Sequence, residues 1–169
     1  RHILEAAASI VVAQPQARFL LCGTGTGRKT MEKLASDLGL QAHVSFIDRI
    51  EPEHMPSFYG ILDIYIHGAT LQPFGLVIAE AMMNGVPVVS TPTGAALDAI
   101  EDGVNGILVP EANGTALAHG VIRLLTMDRK AIGQAGQDAA LRLFVFDRMW
   151  DGTMGVDNQL MRNARPKSR

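Results

Sequence analysis

The chain has 169 residues, 47% of them hydrophobic and 19% charged, with a formal net charge of −2. At about 100–200 residues per domain that is room for one domain with its own core, and the composition excludes a disordered, collagenous or coiled-coil chain. The charge gives no general attraction to nucleic acid, and no apolar run reaches the roughly 18 residues that a membrane span needs.

One cysteine, Cys22, cannot build a disulfide framework and fits a reducing, cytoplasmic setting. The N-terminus lacks the basic, apolar and small-residue order of a signal peptide. The chain opens at Arg1 without an initiator Met and runs at once into a helical pattern, so it reads as a piece of a longer protein.

A helix is expected over Leu4 to Ala13, with Ile3, Ala7, Ile10 and Val11 on one stripe and Pro15 ending it. Ala17 to Cys22 reads as a strand running into the turn Gly23-Thr24-Gly25-Thr26-Gly27. In the next helix Met31, Leu34, Ala35 and Leu38 fall at i, i+3, i+4 and i+7, and Gly39 is its C-cap. His43 to Ile47 is a strand, and Glu51 to Tyr59 a short helix whose start Pro56 delays. Leu62 to His67 is a strand, Leu76 to Met83 a helix, and Gly85 leads into the strand Val86 to Ser90.

A second Gly/Thr/Pro-rich loop, Ser90 to Gly94, precedes a short helix, the turn Glu101-Asp102-Gly103 and the strand Gly106 to Val109. Helices over Gly114 to Leu125 and Arg129 to Leu141 close the pattern. Asn113-Gly114-Thr115 has the form of a glycosylation acceptor, but a helix-start turn is the simpler reading. Past Phe146 the pattern weakens into a basic end, read as a frayed terminus, with contact to acidic lipid headgroups as the alternative. Strands alternating with helices require crossovers on both faces. The fold class is therefore α/β, a doubly wound, Rossmann-like parallel sheet.

In such sheets ligands sit at the carboxyl ends of the strands, beside helix N-termini. Three loops qualify. Gly23 to Gly27 is not the dinucleotide fingerprint, because Arg28 stands at the third glycine, and it lacks the Gly-Lys-Ser/Thr of a P-loop. It is either a tight turn or a place of close approach to a bound phosphate. Thr70 to Gly75 enters the helix Leu76 to Met83, whose first-turn N–H groups can receive an anion such as a diphosphate without a metal. Glu80 lies further along that apolar helix, so it faces solvent or accepts hydrogen bonds from hydroxyls, such as the two of a ribose. The third loop, Ser90 to Gly94 with Asp98, reads as turn chemistry. His67, at a strand end, reads as structural before it reads as a ligand contact.

These residues carry a resemblance. QPFGLVIAEAMMNGVPVVSTPTG is similar to the signature of retaining glycosyltransferases of the GT-B fold, the glycogen-synthase and mannosyltransferase-like group. That group carries a Glu-x7-Glu motif written E-P/G-F-G-L-V-x-x-E-A-M-A-x-G-x-P-V-V. LLCGTGTGRKTMEKLASDLGL resembles its strand, glycine loop and helix, and VSFIDRI its V-x-F-x-G-x-V segment. LDIYIH resembles its A-D-V-F-V strand, and EDGVNGILVP its E-D-G-x-x-G-L-L-V-P turn.

The resemblance implies the C-terminal half of a GT-B fold. Residues 1–150 would be the nucleotide-sugar (donor) domain and residues 151–169 a helix remnant with a basic tail. The N-terminal acceptor domain, a partner across the cleft, is not in the chain. Glu80 matches the glutamate that binds the ribose hydroxyls. Phe74, Gly75 and Leu76 match the turn whose backbone meets the diphosphate and donor sugar, Arg49 and Ile50 the segment lining the base, and Gly23, Thr24 and Gly25 the glycine loop near the phosphates. The implied donor is a UDP- or GDP-linked sugar, with no further cofactor and no metal. Transfer would be front-face, with the leaving diphosphate assisting deprotonation of the acceptor and Glu80 positioning the donor.

The departures are specific. Gln72 stands at the first motif glutamate, and an amide cannot stabilise oxocarbenium character as a carboxylate does. Asp48 replaces a glycine beside the base, and Ala69 replaces a small polar residue. The Arg and Lys that neutralise the diphosphate would precede Arg1. Two expectations follow: the donor domain of an active transferase at the cytoplasmic side of a membrane or free in the cytoplasm, or a degenerate member that binds nucleotide sugar without transfer.

Overall fold

The structure is a computed structural model that describes residues 1–71 and 75–144. In chain order the elements are α1 (His2–Ala13), β1 (Phe19–Cys22), α2 (Arg28–Asp37), β2 (Val44–Ile47), a 3-10 turn (Pro52–His54), α3 (Met55–Gly60), β3 (Tyr65–His67) and α4 (Leu76–Met83). There follow β4 (Val88–Ser90), α5 (Ala95–Ala99), β5 (Ile107–Leu108), α6 (Gly114–Leu125) and α7 (Arg129–Leu143). Every strand pair is parallel, as the alternation requires. The backbone ladders fall into two groups, β1-β2 and β3-β4-β5, where the pattern predicts one sheet.

Helices cover both faces, and the strands show it residue by residue. In β4, Val88 packs into a core with Tyr59, Ile78, Met82 and Ala140, whereas Val89 packs into another with Ile10, Leu117 and Leu124. Successive strand residues point to opposite faces, so a strand apolar at both positions is buried on both sides. This is the doubly wound arrangement. A third cluster, Leu4, Ala7, Ala35 and Leu40, seats α1 and α2 against β1 and β2.

Helix α1 corrects one expectation. Its buried residues are Leu4, Ala6, Ala7 and Ile10, while Ile3 and Val11 are half-buried. The helix has two neighbours: Ala6 and Ile10 belong to the α6 side, Leu4 and Ala7 to the α2 side. A single stripe describes a helix with one packed face only. Helix α2 ends as expected at Gly39, whose φ is +71°, with Leu40 N–H donating to Ala35 O at 2.8 Å and Gly39 N–H to Ser36 O at 3.0 Å.

Strands begin later than the apolar runs do. Pro87 has no N–H to donate, so β4 starts at Val88, and Tyr65 N–H meets Pro87 O at 2.9 Å to open β3. The expected helix 51–59 divides into the 3-10 turn and α3, with Pro56 in the first turn, where no donor is missed. Asn113 does start a helix: its side chain accepts from Ala116 N–H at 2.8 Å. The expected weakening past Phe146, and the 151–169 tail, lie outside the described residues.

Helix α7 packs tightly on the end of α4. Gln137 donates to Met83 O at 2.7 Å, and Gly133 lies so near Gly85 that a Cβ there would overlap the Gly85 carbonyl oxygen. Backbone cannot yield as a flexible side chain does. Gly133→Ala is therefore expected to cost about 2–3 kcal/mol, read as a lowered urea midpoint; an unchanged midpoint would contradict this packing.

Candidate functional site

Parallel strands place all their following loops at one end of a sheet, so the site is built from the turns after β1, β2, β3 and β4. After β1, Gly23, Thr24 and Gly25 are exposed, and a Cβ added at Gly23, Gly25 or Gly27 would meet no described atom within 4 Å. Packing against the sheet therefore does not account for these glycines. Arg28, at the start of α2, holds the loop in place. Its guanidinium donates to Glu32 Oε1 at 2.7 Å, Asp48 Oδ1 at 2.9 Å, Phe46 O at 3.1 Å and Ile47 O at 3.3 Å, and lies over the Phe46 ring. One planar cation thus ties the glycine loop to the end of β2.

After β2, Asp48 and Arg49 are exposed and Ile50 is half-buried; Arg49 lies 3.7 Å from Glu51, a solvent-screened pair. Cys22 Sγ donates to Asp48 O at 3.3 Å, a second tie between the two loops. After β3, Gln72 and Phe74 lie outside the described residues. Gly75 is described: it is buried, starts α4 with φ +74° and ψ +44°, and no side chain among the described residues caps that helix. Ile78 N–H turns back to Gly75 O at 2.9 Å, whereas the N–H groups before it in the first turn have no partner within the helix, and Leu76 beside them is 67% exposed. The loop after β4 closes in from the other side, since a Cβ at Gly75 would come 3.3 Å from Ile78 Cδ1 and 3.8 Å from Ala95 N.

Glu80 lies on the exposed side of α4, and its Oε2 accepts a hydrogen bond at 2.9 Å from the hydroxyl of Tyr59, itself 2% exposed. Tyr59 is a residue that sequence reasoning missed. It sits in α3 with its ring edge-on to Tyr65 at 5.9 Å, and Tyr65 stacks on His67 at 6.5 Å. His67 is 7% exposed under this aromatic row, in keeping with the structural reading of a strand-end histidine. In the loop after β4, Thr91 Oγ1 donates to Ala69 O at 2.6 Å, whereas the buried Thr93 hydroxyl has no protein partner among the described residues.

Burial pushes the Tyr65 phenol up to about 12, with the nearby Glu80 carboxylate adding to it, and burial followed by the bond to Glu80 raises Tyr59 further. These are the chain's two tyrosines. An unfolded tyrosine ionises near pH 10, so the stability they lend is complete below pH 10 and is lost as pH climbs from 10 towards 12. Tyrosinate absorbance is accordingly expected to rise together with loss of the helical circular-dichroism signal. A tyrosinate signal near pH 10 with the helices intact would contradict their burial.

Among the described residues, no cluster of three or more His, Cys, Asp or Glu is placed to hold a metal ion. Among the described residues, no helix is long and apolar enough to cross a membrane. Two concave cavities lie elsewhere, one of about 290 Å³ between α5 and α7 near Asp98, Asn105 and Arg142, the other of about 330 Å³ beside β5 near Pro110, His119 and Arg123. Neither includes a residue of the four loops.

The model of the family "Glycosyl transferases group 1" matches residues 1–139. The D-inositol 3-phosphate glycosyltransferase of Corynebacterium urealyticum is 34% identical over 140 residues, which cover 79% of this chain and 33% of that protein. The chain thus spans about a third of the length of the curated relatives it matches. Among solved structures, Alr3699/HepE of Anabaena in complex with UDP superposes with a TM-score of 0.82 at 26% identity, covering 94% of this chain and 44% of that one. The C-terminal domain of the glycosyl transferase group 1 family protein LpcC from Francisella tularensis gives a TM-score of 0.77 at 27% identity, covering 86% of this chain and 78% of that one. Parallel strands wound on both faces, the glycine loop after β1 and the Gly75–Glu80 helix all occur in a chain matched along most of its length. The chain belongs to the group 1 glycosyl transferases, and its fold is that of the C-terminal domain of a GT-B glycosyltransferase.

Proposed function

We propose that residues 1–150 form the donor half of a retaining glycosyltransferase, which binds a nucleotide diphosphate sugar and passes the sugar to an acceptor hydroxyl. The observation that carries this reading is the α4 end of the site. A helix opened by left-handed Gly75, with no side-chain cap among the described residues, turns its first N–H groups towards an anion, and one turn further on an exposed carboxylate, Glu80, is held by Tyr59. A diphosphate and a ribose diol are the two parts of a nucleotide donor that these groups recognise. The likeness to a protein solved with UDP supports the same assignment.

In this reading the glycine loop Gly23–Gly25 leaves room for the phosphates, and Arg49 and Ile50 line the base. The bond from the anomeric carbon to the diphosphate oxygen breaks. The acceptor oxygen bonds to that carbon on the same face, and the acceptor proton passes to the leaving diphosphate. Backbone N–H groups at Gly75 and Leu76 stabilise the charge that develops on the leaving group. Glu80 orients the donor and takes no part in bond making. Acceptor choice is assigned to none of residues 1–150, and the single free thiol of Cys22 supports a reducing compartment for this reading. Titration calorimetry with UDP and with GDP tests the reading: saturable one-site binding of at least one of them is expected, and heat from neither would remove it.

Gln72 favours a second reading, a member that holds a nucleotide sugar without transferring it, because an amide cannot carry the charge of the usual carboxylate. Gln72→Glu in the full-length protein separates the two. Transfer to an acceptor, or slow hydrolysis of the donor, that appears only in the variant supports binding without catalysis; turnover by the unaltered protein excludes it.

A further inference from the structure

The least expected contact of the site is the one between Tyr59 and Glu80, which are 21 residues apart and on different helices. A phenol has one hydrogen to donate. Its two acceptors are Glu80 Oε2 at 2.9 Å and Val77 O at 3.4 Å, and the shorter bond is the one to the carboxylate. The tyrosine itself has no freedom to drift. It is 2% exposed, packs with Ile78 and Met82 in the core, and has the rings of Phe58 and Tyr65 edge-on to it.

Glu80 is in the opposite state. It lies on the exposed side of α4, and it has three rotatable side-chain bonds that binding would have to order. A rigid donor fixed to one oxygen removes much of that freedom before any ligand arrives. It also divides the carboxylate: Oε2 is partly used, while among the described residues nothing donates to Oε1. What remains suits two adjacent hydroxyl donors held at a fixed angle.

We infer that Tyr59 is a positioning residue which pre-orients Glu80 for a vicinal diol, and so makes the site select ribonucleotides over 2′-deoxyribonucleotides. This role rests on the reading of the α4 end as the donor site. Tyr59 touches no substrate; it acts through Glu80.

The test measures UDP, GDP and their 2′-deoxy forms by calorimetry on the unaltered protein and on Tyr59→Phe, Glu80→Ala, Glu80→Asp and the Tyr59→Phe/Glu80→Ala pair. The unaltered protein is expected to prefer the ribonucleotide by about tenfold or more, the size of one hydrogen bond to a charged group. Tyr59→Phe keeps the ring and its packing. It is expected to weaken the ribonucleotide about tenfold, to leave the 2′-deoxy form nearly unchanged, and to hold the melting temperature. Glu80→Asp, at an exposed position where folding is not at stake, draws the carboxylate back from Tyr59 and is expected to lose the same preference. In the pair, Tyr59→Phe adds nothing to the loss from Glu80→Ala, because the two act as one unit.

A Tyr59→Phe protein that keeps the full preference, or that loses both nucleotides equally while melting lower, overturns the positioning role and leaves the donor site standing. Glu80→Ala with unchanged affinity and unchanged preference removes the donor-site reading itself, and the role of Tyr59 with it.

Discussion

Gly75→Ala is expected to unfold about 2 kcal/mol more easily than the unaltered protein and to bind nucleotide about tenfold more weakly. Gly75 holds φ +74° and ψ +44°, a left-handed conformation that costs an L side chain roughly 1–2 kcal/mol. The added Cβ would also stand 3.3 Å from the δ-methyl of Ile78, which is fully buried and has little room to yield. Relief of either strain turns the first residues of α4, and those residues carry the N–H groups offered to the diphosphate. Thermal denaturation reads the first effect and calorimetry the second. A variant as stable as the unaltered protein would show that the α4 start is not left-handed in solution.

Glu80→Ala, by contrast, is expected to separate binding from stability. Losing a carboxylate that accepts from a ribose costs about 1.5–3 kcal/mol for each charged hydrogen bond, or about tenfold to a hundredfold in affinity. The fold is expected to change by less than about 0.5 kcal/mol, as for most surface substitutions. Glu80 is exposed, alanine favours a helix, and the Tyr59 hydroxyl keeps the Val77 carbonyl as an acceptor. Full affinity in a folded Glu80→Ala protein would remove the carboxylate from the site.

How much of this was legible in the sequence depended on the range of the interaction concerned. Helices α4 and α6 run over the residues that the pattern predicts, Leu76–Met83 and Gly114–Leu125, because each is bounded by a local signal: Gly75 in a left-handed turn before one, the Asn113 cap before the other. The strand ends were less legible, since Pro87 removes a ladder donor inside an apolar run that otherwise reads as continuous strand. The buried stripe of α1 was misplaced because two neighbours bury two edges, and a one-dimensional pattern cannot say how many neighbours a helix has.

The site divides in the same way. Glu80, Gly75 and the glycine loop stood out as residue types that are costly or unusual where they occur, and the motif resemblance gave each a role. Their partners did not stand out. Tyr59 closes a segment read as an ordinary short helix, and nothing local says that its hydroxyl reaches α4. Arg28 was visible only as the residue that breaks a dinucleotide fingerprint. Its work is done on the carbonyls of Phe46 and Ile47, some 18 residues on, which come within reach only when β1 and β2 pair in parallel.

The most direct measurement is a crystal structure of the protein with UDP bound. The diphosphate is expected on the N–H groups of Gly75 and Leu76, both ribose hydroxyls on the Glu80 carboxylate with Tyr59 still bonded to Oε2, and the base between the glycine loop and Arg49–Ile50. UDP seated instead in the cavity near Asn105 and Arg142, or in the one near His119 and Arg123, with the α4 start empty, would contradict this placement.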